Sequence, residues 1–154
     1  MKVAIIGTRH INEDDFNKVL EEFKRQISSL DVKYIYSGNA IGVDQVATQM
    51  NGQYKVVHYL PWESYCYHFN QKGIMYYIKG HDDTYDELIG RLFTTFRGAK
   101  NSVKKLIRRN YFIVKDVDIV FWYTDKGVAG GTKYGVLFAE HLGIKTIEIK
   151  IKEV

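Results

Sequence analysis

Hydrophobic residues follow two alternating rhythms along the chain. Lys2-Val3-Ala4-Ile5-Ile6-Gly7 is a short apolar run closed by glycine, the pattern of a strand buried on both faces of a parallel sheet. Phe16, Val19, Leu20, Phe23, Ile27 and Leu30 then recur at helical spacing. Glu13, Asp14 and Asp15 precede them, where a helix dipole favours negative charge. Residues 32–36 are β-branched and aromatic and read as a second strand. A short helix is expected from Val43 to Met50, stopped by Asn51-Gly52, and residues 54–60 read as a third strand ended by Pro61-Trp62. Tyr65, Tyr67, Phe69, Tyr76 and Tyr77 follow with weak periodicity. That stretch is expected to be an irregular loop with one helical turn, its aromatics stacking on a base, packing on the core or forming a subunit interface.

Tyr85, Leu88, Ile89, Leu92, Phe93 and Phe96 predict a helix over 82–96. Gly98 and Asn101-Ser102 break and recap it, and a second helix carries Val103, Leu106, Ile107, Asn110, Ile113 and Val114 on one stripe. Residues 117–123 are expected to form the fourth strand. A helix with Val136, Leu137, Ala139 and Leu142 toward the core follows, Gly143 closes it, and residues 144–151 form the last strand. The order β-α-β-α-β, helical insert, β-α-β implies an α/β fold. It is Rossmann-like and three-layered, with a mainly parallel sheet, helices on both faces and the insert before the penultimate strand.

Composition narrows this picture. A chain of 154 residues with one proline and no Ser/Gly/Pro-rich linker reads as a single domain, 1–154. The lone Cys66 excludes an internal disulfide and a multi-cysteine zinc site. His58, His68, His81 and His141 show no metal-ligand spacing, so neither metal nor cofactor is expected. No apolar run approaches ~18 residues, and no basic-then-apolar leader opens the chain. The reading is therefore a cytoplasmic protein with no membrane partner. Net charge is +4, and from Arg91 to Lys115 there are eight basic residues and no acidic one. Such a run is a phosphate or nucleic-acid footprint, or a solvated helix face.

In parallel sheets, ligands bind outside the carboxyl ends of the strands at a topological switch point. Three polar, glycine-bearing turns should meet there: Gly7-Thr8-Arg9, the stretch Ser37-Gly38-Asn39-Ala40-Ile41-Gly42, and Gly130-Gly131-Thr132. The second and third lead into helices, whose N-termini suit an anion. Gly38, Gly42, Gly130 and Gly131 allow close backbone approach, Ser37, Asn39 and Thr132 add side-chain hydrogen bonds, and Arg9 brings a fork matched to phosphate. Asn110 on an apolar stripe needs partners: it either hydrogen-bonds backbone, positioning the glycine turns, which is the favoured role, or faces the ligand, and Arg109 beside it can reach an anion at the same edge. Trp62 ends the third strand near these loops. The expected ligand is a phosphorylated small molecule. No Walker sequence and no G-x-G-x-x-G is present, which disfavours an ATPase or a standard dinucleotide dehydrogenase.

The set IIGTR, YSGNAIGVDQVA, LPW, RRN, DIVFWY and GGT resembles the SLOG superfamily over nearly the whole chain. That group includes DNA-processing protein A, the Lonely Guy phosphoribohydrolases and short YspA-like stand-alone domains, some encoded by bacteriophages. The resemblance implies nucleotides or nucleotide-derived signals bound at those loops, and a tendency to homo-oligomerise. Lonely Guy enzymes carry glutamates within three residues of a P-G-G-x-G-T motif. Here Lys133-Tyr134-Gly135-Val136 follows Thr132, and Glu140 lies about 12 Å further along the helix axis. The leading expectation is thus a binder, a sensor or sequestering sponge of a nucleotide-derived small molecule. The alternative is an N-glycosidase acting on a nucleoside 5′-monophosphate, with Asp44 as the best remaining acid, ahead of Asp125 and Glu63. Single-stranded DNA binding is the third reading, motivated by the basic run and not favoured.

Overall fold

Residues 1–65, 71–125 and 130–151 are described by a computed structural model of the chain. Six strands form one sheet: β1 (Lys2–Gly7), β2 (Tyr34–Ser37), β3 (Lys55–Leu60), β4 (Met75–Ile78), β5 (Ile119–Tyr123) and β6 (Lys145–Glu148). Among the described residues, five α-helices connect them: α1 (Glu13–Ser28), α2 (Gln45–Gln49), α3 (Asp83–Leu92), α4 (Asn101–Val114) and α5 (Gly130–His141). All strand pairs are parallel, in the order β4-β3-β2-β1-β5-β6. The chain winds outward from β1 through β4, then returns beside β1 as β5. The switch point is therefore the gap between the carboxyl ends of β1 and β5.

Period-two alternation distributes the core over both faces of the sheet. Val3 and Ile5 of β1, Ile35, Val56 and Phe121 pack against Val19, Phe23 and Ile27 of α1 and Val46 and Ala47 of α2. Ala4 and Ile6, the other parity of β1, join Val120, Ile89 of α3, Ile107 and Ile113 of α4 and Val136 and Phe138 of α5. A smaller cluster of Ala40, Leu60 and Tyr65, with Trp62 and Leu106 against it, closes the carboxyl edge near β3. The fold is thus the expected Rossmann-like α/β sandwich, with α3 and α4 as the insert before β5.

Three local readings are corrected. The stretch expected to be a loop contains β4, which pairs with β3 from Val57↔Met75 to Leu60↔Ile78. Its four residues are too few to show a period, and its hydrogen bonds to β3 make it a strand. Tyr67 and Phe69 lie outside the described residues. The helix expected over 82–96 ends at Leu92, Phe93 turns extended (φ −132°), and Thr94–Phe96 makes a separate 3₁₀ turn. In α5, Phe138 fills the core while Leu142 is exposed, because α5 ends at His141 and Gly143 turns the chain with φ 72°.

Candidate functional site

The strand ends at the switch point are stitched together by backbone. The Thr8 N–H donates to the Tyr123 carbonyl (3.0 Å), and the Val43 N–H donates to the Thr8 carbonyl (3.1 Å). Gly7 is required in this weave, since a Cβ there would collide with the Tyr123 carbonyl and the Val43 side chain. Gly42 has φ 97°, and a Cβ on it would strike the backbone of Thr8 and Arg9.

A cavity of about 560 Å³ opens where these turns meet, within the size range of small-molecule sites. Ten of the residues expected from sequence line it: Gly7, Thr8, Arg9, Ala40, Asp44, Arg109, Asn110, Gly130, Gly131 and Thr132. Ser37, Gly38, Asn39, Gly42 and Trp62 do not. The wall also contains Ile6, His10, Leu106, Thr124 and Asp125. Ile6 and Leu106 read in sequence as core, because the rim of a cavity keeps the same periodicity as the interior. Thr124 had a usable signal, being polar directly after a buried strand, as Thr8 is.

The turn after β2 is held by its own side chains. Ser37 is fully buried and donates its hydroxyl hydrogen to the Ile5 carbonyl. Gly38 gives its carbonyl to the Arg109 guanidinium, and a Cβ on Gly38 would overlap both that guanidinium and the Asp44 carboxyl. Asp44 Oδ2 accepts the Ala40 N–H at 3.1 Å. Asn39 is left-handed (φ 58°) and buried, and its Oδ1 accepts from Gln45 Nε2 at 3.3 Å. The network continues inward: Thr48 Oγ1 donates to Gln45 Oε1 (2.9 Å), so its oxygen accepts from His58 Nε2 (2.9 Å). The His58 hydrogen is assigned to Nε2 on that ground. Burial, reinforced by the Arg109 charge, pulls the His58 pKa down to about 3, so the ring is neutral.

Arg109 and Asn110, adjacent on α4, tie this turn to the start of α5. Arg109 is buried; its Nε donates to Asn110 Oδ1 (2.9 Å) and its Nη1 to the carbonyls of Gly38 and Tyr59. Asn110 Nδ2 donates to the Gly131 carbonyl at 3.1 Å. Burial pushes the Asp44 carboxyl above the ordinary carboxylate range, against the opposing pull of Arg109 and the Ala40 N–H.

The start of α5 is different. Gly130 has φ 59° and no described residue where a Cβ would stand, Gly131 is exposed, and Thr132 is buried against the cavity. Val128 and Ala129 lie outside the described residues. Among the described residues, no three His, Cys, Asp or Glu side chains cluster as a metal would require, and no helix is long and apolar enough to cross a membrane.

The chain is similar in fold to DNA processing protein A from Helicobacter pylori. The two superpose with a TM-score of 0.63 at 22% identity, over 99% of this chain and 66% of the other, so this chain spans just under two thirds of that protein's length. The solved structure concerns that protein's single-stranded DNA binding mode. No protein-family model and no curated sequence matches the chain.

Proposed function

We propose that the cavity between β1 and β5 binds a phosphorylated, nucleotide-derived small molecule, and that the protein acts as a sensor or sequestering sponge of such a signal. One observation carries this reading. A 560 Å³ cleft lies at the switch point with the N-terminus of a twelve-residue helix, the Thr132 hydroxyl region and the exposed Arg9 on its wall. An anion there meets a helix N-terminus and a guanidinium fork. Asp44 and Asp125 on the same wall suit ribose hydroxyls, which donate to carboxylates.

A second reading is single-stranded DNA binding, favoured by the likeness to DNA processing protein A. The basic run supports it less than its charge count suggests. Arg108 is buried in a bidentate pair with Asp86, Arg109 is buried among carbonyls, Arg91 pairs with Glu87 and Lys115 with Asp116. Arg97, Lys100 and Lys105 are exposed, and Lys104 sits over Phe96.

Incubation with nucleoside monophosphates, cyclic nucleotides and ADP-ribose-type compounds separates the readings, with thermal shift reporting binding and chromatography reporting survival. A stabilising compound recovered intact, and no longer stabilising in Arg9→Ala, is the expected result. Free base appearing in the mixture would replace the sponge by a glycosidase. No shift with any compound, together with salt-sensitive binding of a single-stranded oligonucleotide, would overturn the proposal in favour of DNA.

A further inference from the structure

Arg9 is exposed, yet its guanidinium does not hang free. Its Nη2 donates to the Tyr65 hydroxyl, and its Cζ lies 5.7 Å from the centre of the Tyr65 ring. The same ring takes a second guanidinium, Arg109, with Cζ 5.0 Å from its centre. Cations are drawn to the faces of aromatic rings, so one tyrosine holds two guanidiniums at one edge of the site. The tyrosine itself is fixed. It is buried with Ala40 and Leu60, and Trp62 packs edge-on against it at 5.4 Å. Its backbone N–H donates to the Trp62 carbonyl at 3.2 Å.

The position of Arg9 shapes the whole site. Its side chain lines the main cavity and also a shallower hollow of about 380 Å³, walled by Ile11, Phe16, Ile41 and Gln45. Arg9 is thus common to the walls of both. We propose that Tyr65 is the positioning residue that sets where Arg9 stands, keeping the fork ready for an anion. This deepens the small-molecule reading and rests on it for the anion. The physical gain is preorganisation: a guanidinium has five donors, the hydroxyl occupies one, and the others bond no described residue, with the side chain's rotamers already restricted.

Tyr65→Phe removes the hydroxyl and keeps the ring, so the packing against Trp62 survives. In ligand-free protein, the Arg9 Nε–H NMR signal, assigned by its loss in Arg9→Ala, should shift and broaden in Tyr65→Phe while the Arg109 signal stays. With inorganic pyrophosphate as probe, Tyr65→Phe should weaken binding about three- to tenfold, the range of one hydrogen bond. In an Arg9→Ala background, Tyr65→Phe should cost nothing further. An Arg9 signal unchanged by Tyr65→Phe overturns the proposal, as does an equal loss of pyrophosphate affinity with and without Arg9. If Arg9→Ala leaves pyrophosphate binding intact while the Arg9 signal still answers to Tyr65→Phe, the positioning stands and the anion reading fails.

Discussion

The two glycine-bearing turns that lead into helices look alike on paper and are built oppositely. In the turn after β2, the protein's own groups take several donors and acceptors: Asp44 takes the Ala40 N–H, Thr8 takes the Val43 N–H, and Arg109 takes the Gly38 carbonyl, while the buried Asn39 Nδ2 has no hydrogen-bond partner among the described residues. The helix that follows, α2, has only five residues, too short to offer a strong dipole. At the start of α5, the helix has twelve residues, Gly131 is exposed, and its carbonyl accepts from Asn110 Nδ2. Glycines thus serve two different ends. Gly38 and Gly42 make room for the protein's own atoms, whereas among the described residues a Cβ on Gly130 would meet nothing and one on Gly131 only Asn110 Nδ2. The stretch 37–44 is the scaffold, and the first residues of α5 are the open wall.

The sharpest way to break this contrast is to add a methyl group to each turn. Gly38→Ala should destabilise the fold by about 3 kcal/mol, because its Cβ displaces a buried guanidinium and a buried carboxyl from their partners. Urea unfolding measures this, and a loss under about 1 kcal/mol would mean the turn after β2 is looser than its hydrogen bonds imply. Acid tests the same scaffold. His58 has its pKa lowered to about 3 by burial, so the unfolded chain binds the proton first. Stability supplied by its neutral form is complete above the ordinary histidine value. It falls as pH drops from about 6.5 toward 3, by up to about 1.4 kcal/mol per unit. Asp44, raised by burial, acts in the opposite sense: its contribution favours the folded state at low pH and is lost as pH rises through its folded value. The acid slope should therefore steepen in Asp44→Asn and flatten in His58→Gln, read from unfolding at several pH values.

The smallest stability change belongs to the open turn. Gly131→Ala places a Cβ at an ordinary 3.4 Å from Asn110 Nδ2 and should alter stability by no more than about 1 kcal/mol, in the stabilising direction expected for alanine in a helix. Gly131→Val, bulkier at the same wall, should weaken ligand stabilisation in the thermal-shift assay while the unfolding midpoint of the free protein holds within about the same margin. If Gly38→Ala and Gly131→Val had equal effects on the free fold, the division into scaffold and open wall would fail.

Much of this architecture is readable from periodicity. The unbroken apolar run of β1, the helical spacing of Phe16 to Leu30 and the polar residues at each strand end specify a parallel α/β sandwich and its carboxyl edge, because burial on two faces leaves only those patterns. Ten of the cavity's residues are legible for the same reason: in such sheets the loops after the strands converge. Strand β4 was not legible, since four half-exposed residues acquire their conformation from β3 alone. Tyr65 and the division of labour between the two glycine turns were not legible either. Sequence names donors and acceptors, but whether a donor is spent on the protein or left for a ligand depends on what lies across the fold. Arg109 is seventy-one positions from Gly38 and Tyr65 is fifty-six from Arg9. Local pattern settled the fold and the edge where the cavity lies; only the long-range contacts settled which groups the protein ties to itself.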